Sequence, residues 1–340
     1  MTPKIAVSVG DLNGIGLEVV LKTFDDPGML RRGTPVLYGH TKAITFHQKA
    51  AGKSKLRWNH IPVPEDAEAE QINVFDCWEE TVEIEFGKLC ADGGKYAGLS
   101  LSRAVDDLQA GIMDVLVTAP INKKAMQMSG FSHPGHTEYL QQRAGVKHSL
   151  MMMVHENLRV ALATNHEPLA RVAGRVNRDL VQDKLAIFEK SLKMDFGIEK
   201  PIIAVLGLNP HAGDGGALGD EEERHIRPAV LSMKKKGSLV NGPFPADGFF
   251  GSGEYRKYDG ILAMYHDQGL VPFKTLSFGK GVNFTAGLPF IRTSPDHGTG
   301  LDIAGKNQAD PSSFREAVWL ATDIARHRRI FLNQEEPTAV

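Results

Sequence analysis

Short apolar, β-branched runs alternate along the chain with longer stretches in which apolar residues recur every three to four positions. The first pattern predicts buried strands and the second amphipathic helices, and their alternation predicts a mostly parallel sheet covered on both faces. Residues 5–9 read as a strand, followed by a Gly-rich turn at 10–16 and a helix from Glu18 to Phe24. Residues 36–38 read as the next strand and 52–76 as surface connections with short strands. A helix over 96–110 then feeds a strand over 115–118, and a basic helix starts at Asn122, Lys123 and Lys124. Two apolar runs, 150–154 and 158–164, flank polar residues 155–157, which predicts an antiparallel hairpin and with it a second α/β domain.

Helix ends are also marked. Asn177 caps a helix to about Leu192. Acids at 220–223 open another helix, lysines at 234–236 close it, and Gly237 sits at its end, as macrodipole and capping rules favour. Ser313 and Glu316 form a capping box for a last helix to about Arg326. Packing of that helix on the N-terminal domain gives a discontinuous first domain, residues 1–133 with 296–340. The second domain, residues 134–295, then carries the candidate metal ligands described below, and the dimer contacts that the family resemblance given below implies.

Three of the apolar runs lead to a histidine: 160–164 before His166, 202–208 before His211, and 261–264 before His266. The carboxyl ends of strands are where ligands gather in open α/β sheets. Three imidazoles at one sheet edge can hold a divalent metal and leave positions for water or substrate. Glu167 and Asp267 follow two of them and could orient the rings, and the third lies in the Gly-rich loop 209–216.

A basic and polar set lies in neighbouring segments. Lys274 follows the third histidine, Asn283 sits in a Gly-bounded run over 281–287, and Arg292 ends the apolar run 288–291. His136 and Thr137 stand ahead of a helix whose first N–H groups are also available. Arginine for bidentate capture, lysine as a point charge and a helix start together suit a phosphate. The turn at 10–16 does not match the dinucleotide fingerprint, and no ribose-reading acid follows it.

Composition narrows the setting. The 340 residues suffice for two domains, and a net charge of −2 offers no field for nucleic acid or an anionic membrane. No apolar run approaches the roughly 18–20 residues of a membrane span, and the first residues lack a basic leader. Two cysteines, Cys77 and Cys90, make neither a metal nor a disulfide framework, so a reduced cytoplasm is expected.

Residues 297–305 resemble the adenosine-side loop of isocitrate and isopropylmalate dehydrogenases, which implies cofactor contacts from His297, Gly298, Thr299 and Asp302. Over nearly its whole length the chain resembles the 4-hydroxythreonine-4-phosphate dehydrogenase family of pyridoxal phosphate biosynthesis. The matching stretches are 10–16, 118–123, 135–138, 161–166, 207–216, 241–247, 264–269 and 279–305. The resemblance implies two α/β/α domains of the isocitrate/isopropylmalate dehydrogenase kind, with the active-site cleft between them, in a homodimer with interface sites. It implies NAD or NADP, and zinc, cobalt, manganese or magnesium on His166, His211 and His266. His136, Thr137, Lys274, Asn283 and Arg292 would contact the phosphorylated substrate.

The implied reaction is oxidation of 4-phosphohydroxy-L-threonine, followed by loss of CO₂ from the β-keto acid. Asp247, Lys274 and a water on the metal are the alternatives for the general base. Two departures from the family pattern stand out: Leu12 replaces a common proline, and Asn122 replaces a histidine of some members. A related branch acts on D-threonate or D-erythronate 4-phosphate. A metal-dependent phosphoester hydrolase could use the same histidines without the loop at 297–305, and a non-catalytic sensor would bind without turnover.

Overall fold

The computed structural model describes residues 2–53, 55–133 and 135–335. Position 134, where the second domain was expected to begin, and residues 336–340 lie outside the described residues. The fold is mixed α/β. Among the described residues, twelve strands follow in chain order: β1 (Lys4–Ser8), β2 (Thr34–Gly39), β3 (Trp58–Ile61), β4 (Ile72–Asp76), β5 (Val115–Thr118), β6 (Leu150–His155), β7 (Leu158–Leu162), β8 (Ile202–Leu206), β9 (Leu239–Phe244), β10 (Gly260–Ala263), β11 (Val282–Ala286) and β12 (Ile291–Pro295). The chain divides into two compact units, Met1–Lys147 with Leu288–Ala325, and His148–Gly287 with Arg326–Val340.

In the first unit the strands run in the order β3-β4-β2-β1-β5-β12, and every adjacent pair is parallel. Burial on both faces explains their unbroken apolar sequences: Ile5, Ala6, Val7, Val36, Leu37 and Val115 are all fully buried. One face packs on the helix Ala91–Gln109, whose Leu101, Ala104 and Val105 meet Ala6, Val36, Tyr38 and Leu116. This helix starts five residues earlier than its periodicity predicts. Its first turn contains Gly93 and Gly94, both helical and both closely approached by neighbouring groups. A Cβ at Gly94 would lie 2.1 Å from the Ala125 carbonyl oxygen, and one at Gly93 would lie against the Asp11 carboxylate.

The second unit orders its strands β11-β6-β7-β10-β8-β9. β11, β6 and β7 are antiparallel neighbours, the β6–β7 pair being the expected hairpin, whereas β7, β10, β8 and β9 are parallel. Met153, Val160, Leu162, Leu206, Ile261 and Phe273 form its core. The helix Arg178–Met194 is capped as expected, with Asn177 Oδ1 accepting the Leu180 N–H at 2.9 Å.

Two helix starts differ from the sequence reading. The acidic stretch after Gly219 opens a π-helical turn, Glu222–Ile226, before the α-helix Arg227–Lys235 begins. Asp220 and Glu223 face outward onto Arg224 and Arg227, but Glu222 turns inward and is 1% exposed. The last helix runs from Ser312 to Glu335, beyond the expected end at Arg326. Ser313 lies inside its first turn rather than at the cap, and its Oγ accepts the Asp296 N–H. Asp310 takes the capping part, accepting from Ser312 N and Oγ.

Candidate active site

In the second unit β10 lies between β7 and β8, and all three are parallel. Their carboxyl ends therefore share one edge, with adjacent strands about 4.8 Å apart. His166, His211 and His266 each follow one of these ends. Pairing of β7 and β10 continues beyond both strands: Ala163 N donates to Ala263 O at 2.8 Å and Thr164 N to Met264 O at 3.1 Å. Thr164 Oγ1 reinforces the last contact at 2.8 Å. This zip carries the chain to the histidines, whose rings at 166 and 266 stand 5.9 Å apart, centre to centre. Gln268 ties the third strand in, accepting from Met264 N and donating to Gly207 O at the end of β8.

His266 Nδ1 sits 2.7 Å from Asp267 Oδ1, which orients the ring with Nε2 directed elsewhere. His211 is held differently. Residues His211 to Gly215 all have positive φ with ψ between −7° and 54°, so the backbone makes a left-handed turn. His211, Ala212 and Asp214 adopt it without being glycine, at a cost of about 1–2 kcal/mol each. Among the described residues, no three His, Cys, Asp or Glu side chains stand close enough together to hold a metal ion. His166 and His266 are adjacent, and His211 is carried by the neighbouring strand end. The donor chemistry, imidazoles at one strand edge with one ring oriented by a carboxylate, suits a divalent transition metal.

The other expected residues of this unit are not all gathered at that edge: Asn283 pairs with Met153, itself paired with Val160 in the middle of β7, and Lys274 lies about two turns into the helix that leaves His266. Asp247 is exposed in the first turn of the helix Ala246–Gly251, after β9. Lys274 is exposed on the helix His266–Ser277, and Asn283 is half-buried on β11 opposite Met153. A groove of about 850 Å³, lined by His155, Arg159, Tyr255 and Tyr258 among others, opens where β7, β8 and β10 begin, at the other end of the strands from the histidines.

In the first unit Arg292 of β12 is 3% exposed. Its Nε and Nη2 both donate to Thr118 Oγ1, at 3.1 and 2.8 Å, and Nη2 also donates to His136 Nδ1 at 3.0 Å. Burial lowers its pKa to about 10, and Glu138 opposes the shift. An arginine remains a cation there across the physiological range. Burial, together with the charges of Arg292 and Lys123, holds His136 well below the usual histidine range, so its ring is neutral. His136 opens the helix His136–Arg143, and its Nε2 is buried without a hydrogen-bond partner. Thr137 follows it in the same first turn, half-buried. Asn122 caps the helix Lys123–Met128, accepting from Lys124 N and Ala125 N. That capping duty gives an asparagine at this position a structural reason.

The loop at 297–305 packs on the turn at 10–16 within this unit. Ile15 N donates to Thr299 O at 2.9 Å, and a Cβ at Gly14 would lie 2.7 Å from that same oxygen. His297 Nδ1 donates to Gly298 O at 3.0 Å, and its Nε2 is buried without a hydrogen-bond partner. Asp302 is exposed, and its carbonyl accepts Lys306 Nζ.

Comparison with known proteins converges on one family. The family model described as pyridoxal phosphate biosynthetic protein PdxA matches residues 31–321. The chain belongs to this family. A 4-hydroxythreonine-4-phosphate dehydrogenase of Bacteroides thetaiotaomicron is 49% identical over 327 residues, which is 96% of this chain and 90% of the relative. A relative from Cutibacterium acnes, provisionally named a D-threonate 4-phosphate dehydrogenase, is 38% identical over 329 residues, 96% of this chain and 94% of that one. A solved 4-hydroxythreonine-4-phosphate dehydrogenase of Klebsiella pneumoniae is 35% identical and superposes with a TM-score of 0.84, covering 96% of this chain and 98% of that one.

The stretch matched by the PdxA model includes every residue expected to bind metal, substrate or cofactor; the turn at 10–16 falls before it. Three residues that shape these sites escaped the sequence reading: Thr118, Gln268 and Glu222. Thr118 carried a weak signal as a hydroxyl at a strand's carboxyl end. The other two carried none, since Glu222 reaches Leu208 and Asn209 and Gln268 reaches Gly207 only in the folded chain.

Proposed function

We propose that this member of the PdxA family oxidises 4-phosphohydroxy-L-threonine at C3 with NAD or NADP. The hydroxyl proton and the C3 hydride leave, giving 2-amino-3-oxo-4-phosphobutanoate. That β-keto acid loses CO₂ to give 3-amino-2-oxopropyl phosphate. The observation that carries the reading is the Arg292–His136 pair. A buried cation and a neutral imidazole with an unpartnered Nε2–H, side by side at a helix start, suit an anionic substrate group. Membership of a family whose relative at 49% identity bears this dehydrogenase name supports it further.

Within this reading Arg292 and His136, with Thr137, Lys274 and Asn283, hold the phosphorylated substrate and turn its binding energy into alignment of the reacting C–H. Lys274 or Asp247 takes the hydroxyl proton. His297, Gly298, Thr299 and Asp302 contact the adenosine side of the cofactor. A divalent cation held by His166, His211 and His266 would supply Lewis acidity that lowers the pKa of the substrate hydroxyl. The enzyme acts as a cytoplasmic homodimer, with active sites at the subunit interface.

The test is absorbance at the reduced-nicotinamide band, using metal-loaded protein with 4-phosphohydroxy-L-threonine or D-threonate 4-phosphate and each of NAD and NADP. Rapid reduction with the amino-acid phosphate bears the proposal out and identifies the cofactor. Reduction with the sugar-acid phosphate alone overturns the substrate assignment and favours the branch named for the Cutibacterium relative. Absence of reduction with either substrate refutes the dehydrogenase reading.

A further inference from the structure

The left-handed turn that carries His211 does not hold itself. Its backbone conformation is unfavourable at His211, Ala212 and Asp214, so neighbouring groups must stabilise it. Glu222 is placed to do this. Its Oε1 accepts the N–H groups of Leu208 and Asn209, both at 2.7 Å, and its Oε2 accepts Asn209 Nδ2 at 3.0 Å.

The turn also closes around the same carboxylate. A Cβ on Gly207 would lie 3.1 Å from Glu222 Oε1, and one on Gly213 would lie 2.7 Å from Oε2. The carboxylate is therefore hydrogen-bonded to the segment before His211 and packed closely against Gly213 after it. Among the described residues every side-chain hydrogen bond of Glu222 ends on Leu208 or Asn209. Glu221 adds a second grip, accepting Asn209 Nδ2 at 2.7 Å. The π-helical turn beginning at Glu222 departs from regular helix geometry where this carboxylate enters the loop, as such turns often do beside functional sites.

We infer that Glu222 is a positioning residue for His211, setting through the left-handed turn how firmly that imidazole holds a divalent cation. The inference rests on the proposed role of His211 as a metal ligand. Glu222 itself does not touch the cation. Groups that hydrogen-bond a metal ligand directly commonly change metal affinity by about ten- to a hundredfold when removed, and Glu222 acts one step further out, through the backbone of Leu208 and Asn209.

Cobalt(II) tests this directly, because its visible absorption reports ligand geometry independently of turnover. Titration of the full-length protein is compared with Glu222→Ala, Glu222→Gln, Asn209→Ala and His211→Ala, each checked for folding by circular dichroism and thermal unfolding. Glu222→Ala is expected to weaken cobalt binding by about tenfold, the low end of that range, and to alter the visible band. Glu222→Gln should recover most of the affinity, since an amide oxygen still accepts both backbone N–H groups.

A folded Glu222→Ala protein with unchanged affinity and spectrum overturns the inference, provided His211→Ala has lost binding. If His211→Ala also binds cobalt normally, the metal reading itself falls and the inference with it. Should Glu222→Ala fail to fold, Asn209→Ala decides. It keeps the carboxylate but cuts the side-chain link, and several-fold weaker binding supports the inference whereas unchanged binding overturns it.

Discussion

Arg292 Nη2 donates to His136 Nδ1 across 3.0 Å, and that contact determines which ring nitrogen of the histidine carries the proton. A guanidinium can only donate, so Nδ1 accepts and Nε2 bears the hydrogen. Arg292→Lys removes the fork that spans Thr118 and His136 while keeping a cation. It is expected to raise the KM for the phosphorylated substrate by roughly ten- to a hundredfold, the worth of one or two charged hydrogen bonds. Steady-state kinetics check this, and an unchanged KM contradicts it. Nitrogen-15 NMR of the wild type should show His136 neutral at pH 6, with its proton on Nε2.

His47 predicts a pH dependence of stability. It is fully buried in the first unit, its Nε2 donates to Leu12 O at 2.8 Å, and burial holds its pKa down at about 4. The unfolded chain therefore binds this proton first as pH falls below about 6.5. The contribution of His47 is complete above that value and is lost towards pH 4, by about 3 kcal/mol at most. Urea unfolding of the wild type and His47→Gln should show a stability gap that narrows from pH 7 to pH 5. A constant gap would exclude a depressed pKa.

Gly94 packs where helix meets helix, and Gly94→Ala should destabilise the first unit by about 1–3 kcal/mol or more, because the new methyl meets backbone and not a movable side chain. Gly111, with open space around its Cβ position but φ of 74°, gives a comparison in which strain acts without a clash. Its alanine variant should lose only about 1–2 kcal/mol. Denaturant midpoints of the two variants measure the difference.

Asp195 is fully buried, accepting from Arg328 Nε and Ser191 Oγ, both at 2.6 Å. Arg328→Ala leaves that carboxylate without its cation and should cost about 3–5 kcal/mol. Replacing both partners at once, Asp195→Leu with Arg328→Met, should cost much less, because no buried charge remains. Equal losses in the single and double variants would show that packing, and not charge, dominates at this position.

Much of this architecture was legible in the sequence because burial on both faces writes itself as unbroken apolar runs, as at residues 5–7 and 203–206. The three histidines were legible for a related reason: each stands just past the end of such a run. Glu222 was not, since four consecutive acidic residues look alike until one of them faces inward onto a loop 14 positions earlier. The start of the helix Ala91–Gln109 was hidden by Gly93 and Gly94, whose low helix propensity is outweighed by the close approach they permit. The placement of Ser313 inside its helix depended on Asp296, which only the tertiary fold brings near it.

The strand order β7-β10-β8 has a consequence for a chain emerging from the ribosome. The strand in the middle is the last of the three to be synthesised. Until residues 260–263 arrive, β7 and β8 lack their shared neighbour, and each offers an unpaired edge across a gap two strand spacings wide, about 10 Å. A nascent chain ending before Gly260 thus exposes two sticky edges and cannot bring His166 and His211 to their final separation. Insertion of β10 closes both edges and brings His266 to the strand edge that His166 and His211 follow, so these three histidines share an edge only once the sheet is complete.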